Sequence, residues 1–162
     1  ETSASKALSI APGTVHAKAL LGFARLLGDE RERAREVLLE AVGANPADPL
    51  AHFALGLLHV REGNDVEGRR ELELAVLLDP SNVEYRSALA SAYMRSGDDY
   101  RATNQLALAE TLDPASPTPK FLSAQRKLRQ GDVIGAMSDG ERGRMDGTNF
   151  CTSVVCRPPS KR

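Results

Sequence analysis

Three histidines, two cysteines and a row of arginines are the residues whose types could carry chemistry in this chain. His52 and His59 stand seven residues apart in a stretch that reads as one helix. Seven helical residues rise about 10 Å, too far for one metal ion without a ligand between them. Phe53 and Gly56 cannot fill that role, so these two and His16 read as solvated or packing histidines. Cys151 and Cys156 could close a short disulfide or supply half of a zinc site, but a full zinc site takes four ligands. Neither a histidine nor another cysteine lies near them. The Gly-Asp dipeptides at 28, 97 and 131 read as turns. No nucleophile–base pair, phosphate-cradling loop or H-E-x-x-H pattern occurs. No catalytic residue, metal site or cofactor is expected, and the chain does not read as an enzyme.

Arg61, Arg95 and Arg129 are of a different kind, because they recur at intervals of 34 residues. Stacked repeats would align them as a ladder of guanidinium groups able to clamp the carboxylates of an acidic peptide. A cation in the last turn of a helix also offsets the helix dipole, which contributes about 0.3–1 kcal/mol.

The same interval separates Pro12, Pro46, Pro80 and Pro114, and the phrases Ala44-Asn45-Pro46, Leu78-Asp79-Pro80 and Leu112-Asp113-Pro114 recur around them. A fixed period of this length signals stacked units. With 162 residues, 4% aromatic residues and no Trp, the core must come from Leu, Ala and Val, which suits helices. A net charge of −1 with both signs interspersed gives no field pointing to nucleic acid. No apolar run approaches the ~20 residues that span a bilayer, so neither nucleic acid binding nor membrane insertion is expected. The first residues lack the basic-then-apolar order of a signal peptide.

Phased on the prolines, Thr2 to Ile10 reads as the end of a helix that Pro12-Gly13 stops, so the chain is expected to open part-way through a repeat of something longer. Helices follow over about Thr14 to Leu27, with Leu20, Leu21, Ala24 and Leu27 apolar, and about Glu30 to Val42, with Ala34, Val37, Leu38 and Ala41 inward. Gly43 and Pro46 end the second. Asp48 as N-cap and Pro49 in the first turn open the next pair, whose turn is Glu62-Gly63-Asn64. A third pair spans Asn82 to Leu112, and a fourth opens at Pro117, turns at Gln130-Gly131-Asp132 and restarts at Val133. Each unit is two helices of about 13 residues that cannot bury their apolar stripes alone. The class is all-α, a solenoid of antiparallel helix pairs.

Small residues sit in register within these pairs. Leu21-Gly22, Leu55-Gly56 and Leu89-Ala90 recur in the first helix, Ala34, Gly68, Ala102 and Ala136 open the second, and Ala41, Ala75 and Ala109 follow. Over about residues 2 to 142 the pattern resembles the tetratricopeptide repeat (TPR) family, in its bacterial style. Tyr93 matches the family's aromatic, whereas Arg25, His59 and Lys127 do not. The resemblance implies a right-handed superhelix over residues 1–143: a partial repeat at 1–12, repeats at about 15–48, 49–82 and 83–116, and a degenerate one at 117–143. There Gly140 replaces Leu38, Leu72 and Leu106, and Thr148 stands where a fifth proline would fall, so its second helix should be short or frayed. Residues 144–162 read as a flexible tail.

The resemblance also implies that the first helix of each pair faces a concave groove for a protein or peptide. Carried over by phase, the groove is expected to hold Phe23, Phe53, Leu57, Val60, Arg61, Met94, Arg95, Phe121 and Arg129. It would suit a peptide with apolar anchors and acidic groups. Family members that grip acidic chaperone tails use Lys and Asn where this chain has Ala19, Phe23, Ala54, Glu84 and Ala88, so that subtype is not expected. The alternatives are self-assembly into a homo-oligomer through exposed solenoid ends, and a regulatory arm of a larger envelope or polysaccharide-assembly protein.

Overall fold

A computed structural model of the chain describes residues 12–144, with side chains over 16–139. The expected helix end over Thr2 to Ile10 and the tail with Cys151 and Cys156 lie outside the described residues. Eight helices follow one another: α1 (Pro12–Leu27), α2 (Arg31–Ala44), α3 (Pro49–Glu62), α4 (Asp65–Leu78), α5 (Val83–Ser96), α6 (Asp99–Leu112), α7 (Pro117–Arg129) and α8 (Val133–Arg144). No strand occurs among the described residues.

The helix boundaries have local causes. Asp48 caps α3 by accepting from the backbone N–H of Leu50 and Ala51 at 2.9 and 3.3 Å, and Pro49 starts the helix where its missing N–H costs nothing. Asn82 caps α5 in the same way through Glu84 and Tyr85. The turns inside the second, third and fourth pairs place Gly63, Gly97 and Gly131 at φ of 86°, 78° and 80°, a conformation glycine adopts without steric cost. The first pair departs from this. Its left-handed residue is Asp29, at φ 61°, in register with the three glycines, while Gly28 stands one place too early. The dipeptide at 28 is thus a turn, as expected, but out of phase with the other two.

Two further boundaries differ from expectation. The first described helix opens at Pro12 instead of about Thr14, with Pro12 and Gly13 in its first turn, where proline is tolerated. Gly43 lies within α2, which runs to Ala44. The last helix is described over Val133–Arg144, to the end of the described residues.

The helices group into two compact units that divide after Leu78. In the first, α1 packs on α2, α3 on α4, and both α1 and α2 on α3. Ala19, Ala41 and Ala51 form a fully buried cluster there, with Val42 and Leu50 against it. A Cβ on Gly22 would stand 2.6 Å from Leu38, one on Gly56 2.7 Å from Leu72, and one on Gly68 2.9 Å from the Gly56 carbonyl. The helix axes approach that closely because those side chains are missing. In the second unit, α5 packs on α6, α7 on α8, and both α5 and α6 on α7. Its core holds Ala90, Leu106 and Leu122.

The apolar residues expected on α1 are not its buried ones. Ala19, Gly22 and Leu26 are buried, whereas Leu20, Leu21, Ala24 and Leu27 are exposed.

Candidate protein-binding face

Phe53, Leu57 and Val60 share one face of α3 at four- and three-residue spacing, and α1 brings Phe23 beside them. The rings of Phe23 and Phe53 pack with centroids 5.6 Å apart and planes tilted by 54°, within the favourable range for aromatic pairs. Phe53 and Leu57 are buried, while Phe23 and Val60 are half-buried. Val60 turns a methyl toward Gly68 of α4, and Phe23 is the more accessible ring of the aromatic pair. In the second unit Met94 of α5 is buried and Phe121 of α7 is exposed.

The arginine row has a geometry that its spacing did not disclose. Arg61 at the end of α3 donates through Nη1 to the carbonyl of Leu26, in the last turn of α1. In the second unit Arg129 of α7 donates through Nη1 to the carbonyl of Met94, in the last turn of α5, at 3.4 Å. Each therefore caps the neighbouring first helix, 35 residues upstream. The Leu26 carbonyl also accepts from the Asp29 N–H at 3.2 Å and the Met94 carbonyl from the Gly97 N–H at 3.4 Å. Each arginine is thus a second donor there, and its charge meets the negative end of the dipole. Burial pushes the Arg61 guanidinium below its ordinary range, with the charge of Asp29 acting the other way. Arg95 is half-buried.

The histidines enter other arrangements. Nδ1 of His16 lies 3.1 Å from Oδ2 of the capping Asp48. His52, buried on α3, has Nδ1 at 2.7 Å from Oε2 of Glu71 on α4 and Nε2 at 2.9 Å from the Pro46 carbonyl oxygen. His52 and His59 share no ligand, and no group of three or more metal-ligating side chains occurs among the described residues. One repeat later, Arg86 donates from Nε to the Pro80 carbonyl at 2.7 Å and from Nη1 to Gln105 Oε1 at 2.9 Å. His52 and Arg86 thus tie the loop proline of their repeat to its second helix. The period carried the signal: Lys18, His52, Arg86 and Lys120 form one row of basic residues.

An ion pair links α2 to α3, where Arg35 Nη2 meets Glu62 Oε1. This bond to Glu62 holds the Arg35 guanidinium above its ordinary range. The other Glu62 oxygen and His59 Nδ1 are buried without a hydrogen bond and lie 3.9 Å apart.

No family model and no curated protein matches the chain. Solved structures do. A crystal structure of MamA superimposes with a TM-score of 0.71 at 16% identity, over 88% of this chain and 83% of that one. MamA 41-end from Desulfovibrio magneticus RS-1 gives 0.69 at 17% identity, over 80% and 73%. PilF of Pseudomonas aeruginosa gives 0.75 at 20% identity, over 82% of this chain and 61% of that one. Both MamA and PilF are tetratricopeptide-repeat proteins. The chain has the tetratricopeptide-repeat fold. That fold assigns α1, α3, α5 and α7 as first helices of their pairs and α2, α4, α6 and α8 as second helices. No helix among the described residues is long and apolar enough to cross a membrane.

Proposed function

We propose that this chain is a non-catalytic protein-interaction scaffold that binds a peptide along the first helices of its pairs. The observation that carries this reading is the Phe23–Phe53 pair at 5.6 Å. It leaves the Phe23 ring half-buried beside Phe53, on first helices that the resemblance to TPR proteins would give to a ligand. An extended or helical peptide with an apolar anchor would place that anchor against Phe23. Arg61, Arg95 and Arg129 would lend positive charge, so an acidic residue flanking the anchor would raise the association rate.

Selection of a displayed-peptide library against the whole chain tests this. Enriched peptides are expected to carry an aromatic or aliphatic anchor, and Phe23→Ala is expected to weaken the best of them by about tenfold or more. Phe23 is the residue to change because burial of Phe53 and Leu57 would confuse loss of binding with loss of fold. No enrichment, or equal affinity for Phe23→Ala and Phe121→Ala, overturns the placement.

A further inference from the structure

We propose that a second copy of this chain docks head to tail, the bare face of α1 in one copy against the bare face of α7 in another. The evidence is a contact the protein already makes twice within itself. In the first unit, Ala19, Phe23 and the Leu26 carbonyl of α1 meet Ala51, Phe53 and Arg61 of α3. In the second, Ala90 and the Met94 carbonyl of α5 meet Leu122 and Arg129 of α7. Each contact joins the downstream face of one first helix to the upstream face of the next.

The chain carries one unused half of this contact at each end of the described residues. On α1 the upstream face is Ala17, Leu20, Leu21 and Ala24, all exposed. Leu20 keeps 50% of its surface, whereas its equivalents one and three repeats on, Ala54 and Leu122, keep 0%. On α7 the downstream face includes Leu128. Leu128 keeps 56% of its surface, against 0% for its equivalent Leu26 and 6% for Met94. Both halves are apolar and both belong to every molecule. A second copy supplies the matching apolar half, because stacked repeats are held by nearest-neighbour interfaces. Leu27 of α1 stands at the place in the repeat from which Arg61 and Arg129 donate, so apolar packing and not the arginine cap would hold this contact. The two halves differ, so the contact is heterologous and adds copies in one direction instead of pairing two and stopping.

Sedimentation equilibrium of the whole chain tests the proposal, with two charged variants placed at exposed sites, Leu20→Arg on α1 and Leu128→Arg on α7. Circular dichroism melts check that each variant stays folded. The wild type is expected to show a weight-average mass that rises with concentration past twice that of one chain. Each variant alone, with one half blocked, is expected to remain at the mass of one chain. Their equimolar mixture keeps one good half of each kind and is expected to reach about twice that mass and stop there. A wild type that stays at the mass of one chain at every concentration overturns the proposal, as it would if the chain's own residues 1–11 or another protein cover α1. Variants that associate as the wild type does overturn it as well.

Discussion

His52 Nδ1 lies 2.7 Å from Oε2 of Glu71, and its other ring nitrogen lies 2.9 Å from the Pro46 carbonyl. A carboxylate and a carbonyl both accept, so the two bonds form together only when both ring nitrogens donate. Arg86 meets the same geometric demand one repeat later with two guanidinium N–H groups, toward Pro80 and Gln105.

That equivalence makes the pair transplantable. The double variant His52→Arg/Glu71→Gln reproduces the later repeat and is expected to melt within a few degrees of the wild type. His52→Ala strands the Glu71 carboxylate and the Pro46 carbonyl and is expected to cost about 1–3 kcal/mol. Urea denaturation of the three proteins measures both. A transplant as unstable as the alanine variant would show that the two repeats hold their loops differently.

Glycines at the helix contacts should respond oppositely to glycines outside them. Gly68→Ala puts a methyl 2.9 Å from the Gly56 carbonyl and 3.0 Å from the Val60 backbone N, and backbone cannot swing aside. Overpacking of this kind costs about 1–3 kcal/mol. Gly43, exposed within α2, has nothing within 4 Å of its would-be methyl, so Gly43→Ala is expected to stabilise by about 0.5–1 kcal/mol. Equal melting temperatures for the two variants would refute the close-approach account.

The left-handed turn residue of the first pair supplies a third case. Asp29 holds φ 61° where the other three pairs use glycine. A non-glycine residue there costs roughly 1 kcal/mol, less for Asp than for most. Asp29→Gly gives up an exposed ion pair to Arg31 at 2.9 Å, which is worth little. Glycine's greater freedom in the unfolded chain offsets part of this relief. The net expectation is a change within about 0.5 kcal/mol in chemical denaturation, and a larger loss would mean that the Arg31 pair outweighs the backbone.

Register was legible in the sequence and depth was not. The proline period gave the helix pairs, the cap at Asp48 and the small residues at Gly22 and Gly56, because each of these is a local or strictly periodic demand. Exposure on α1 was not readable, since Leu20 and Leu21 look like core until one knows whether another helix lies over them. The arginine row was visible as spacing, but its target was not. A side chain that reaches a carbonyl 35 residues upstream bonds to backbone, and backbone leaves no mark in a pattern of residue types. His52 was misgrouped with His59 because the two are close in sequence, while its true row runs through Lys18, Arg86 and Lys120.

Glu84 gives the chain a pH dependence with a definite sign. Loss of water around its carboxyl, and secondly the charge of Asp113, raise its pKa above the ordinary carboxylate range. The folded state therefore holds this proton more tightly than the unfolded state. Its stabilising contribution is fully present below the ordinary glutamate range and is lost as pH rises through the raised value. The residue as a whole is exposed, so the effect is small. Glu84→Gln is expected to flatten the melting temperature between pH 4 and pH 7 relative to the wild type, by removing a decline toward pH 7. A variant whose melting temperature still falls as steeply toward pH 7 would assign the dependence elsewhere.

Arg61 separates the two uses of the arginine row. As a cap on the Leu26 carbonyl, its guanidinium stabilises the last turn of α1 whether or not a ligand is present. Arg61→Met keeps the apolar stem and removes the donor, so it is expected to cost about 0.5–1.5 kcal/mol and to speed amide exchange at Gly28, Asp29 and Glu30. Arg61→Lys keeps the charge but not the planar fork, and should recover only part of the loss. If the row instead exists to hold acidic ligands, Arg61→Met leaves stability and exchange unchanged and removes the salt-sensitive part of peptide affinity. Exchange rates decide between these before any partner is known, because only a cap changes them in the free protein.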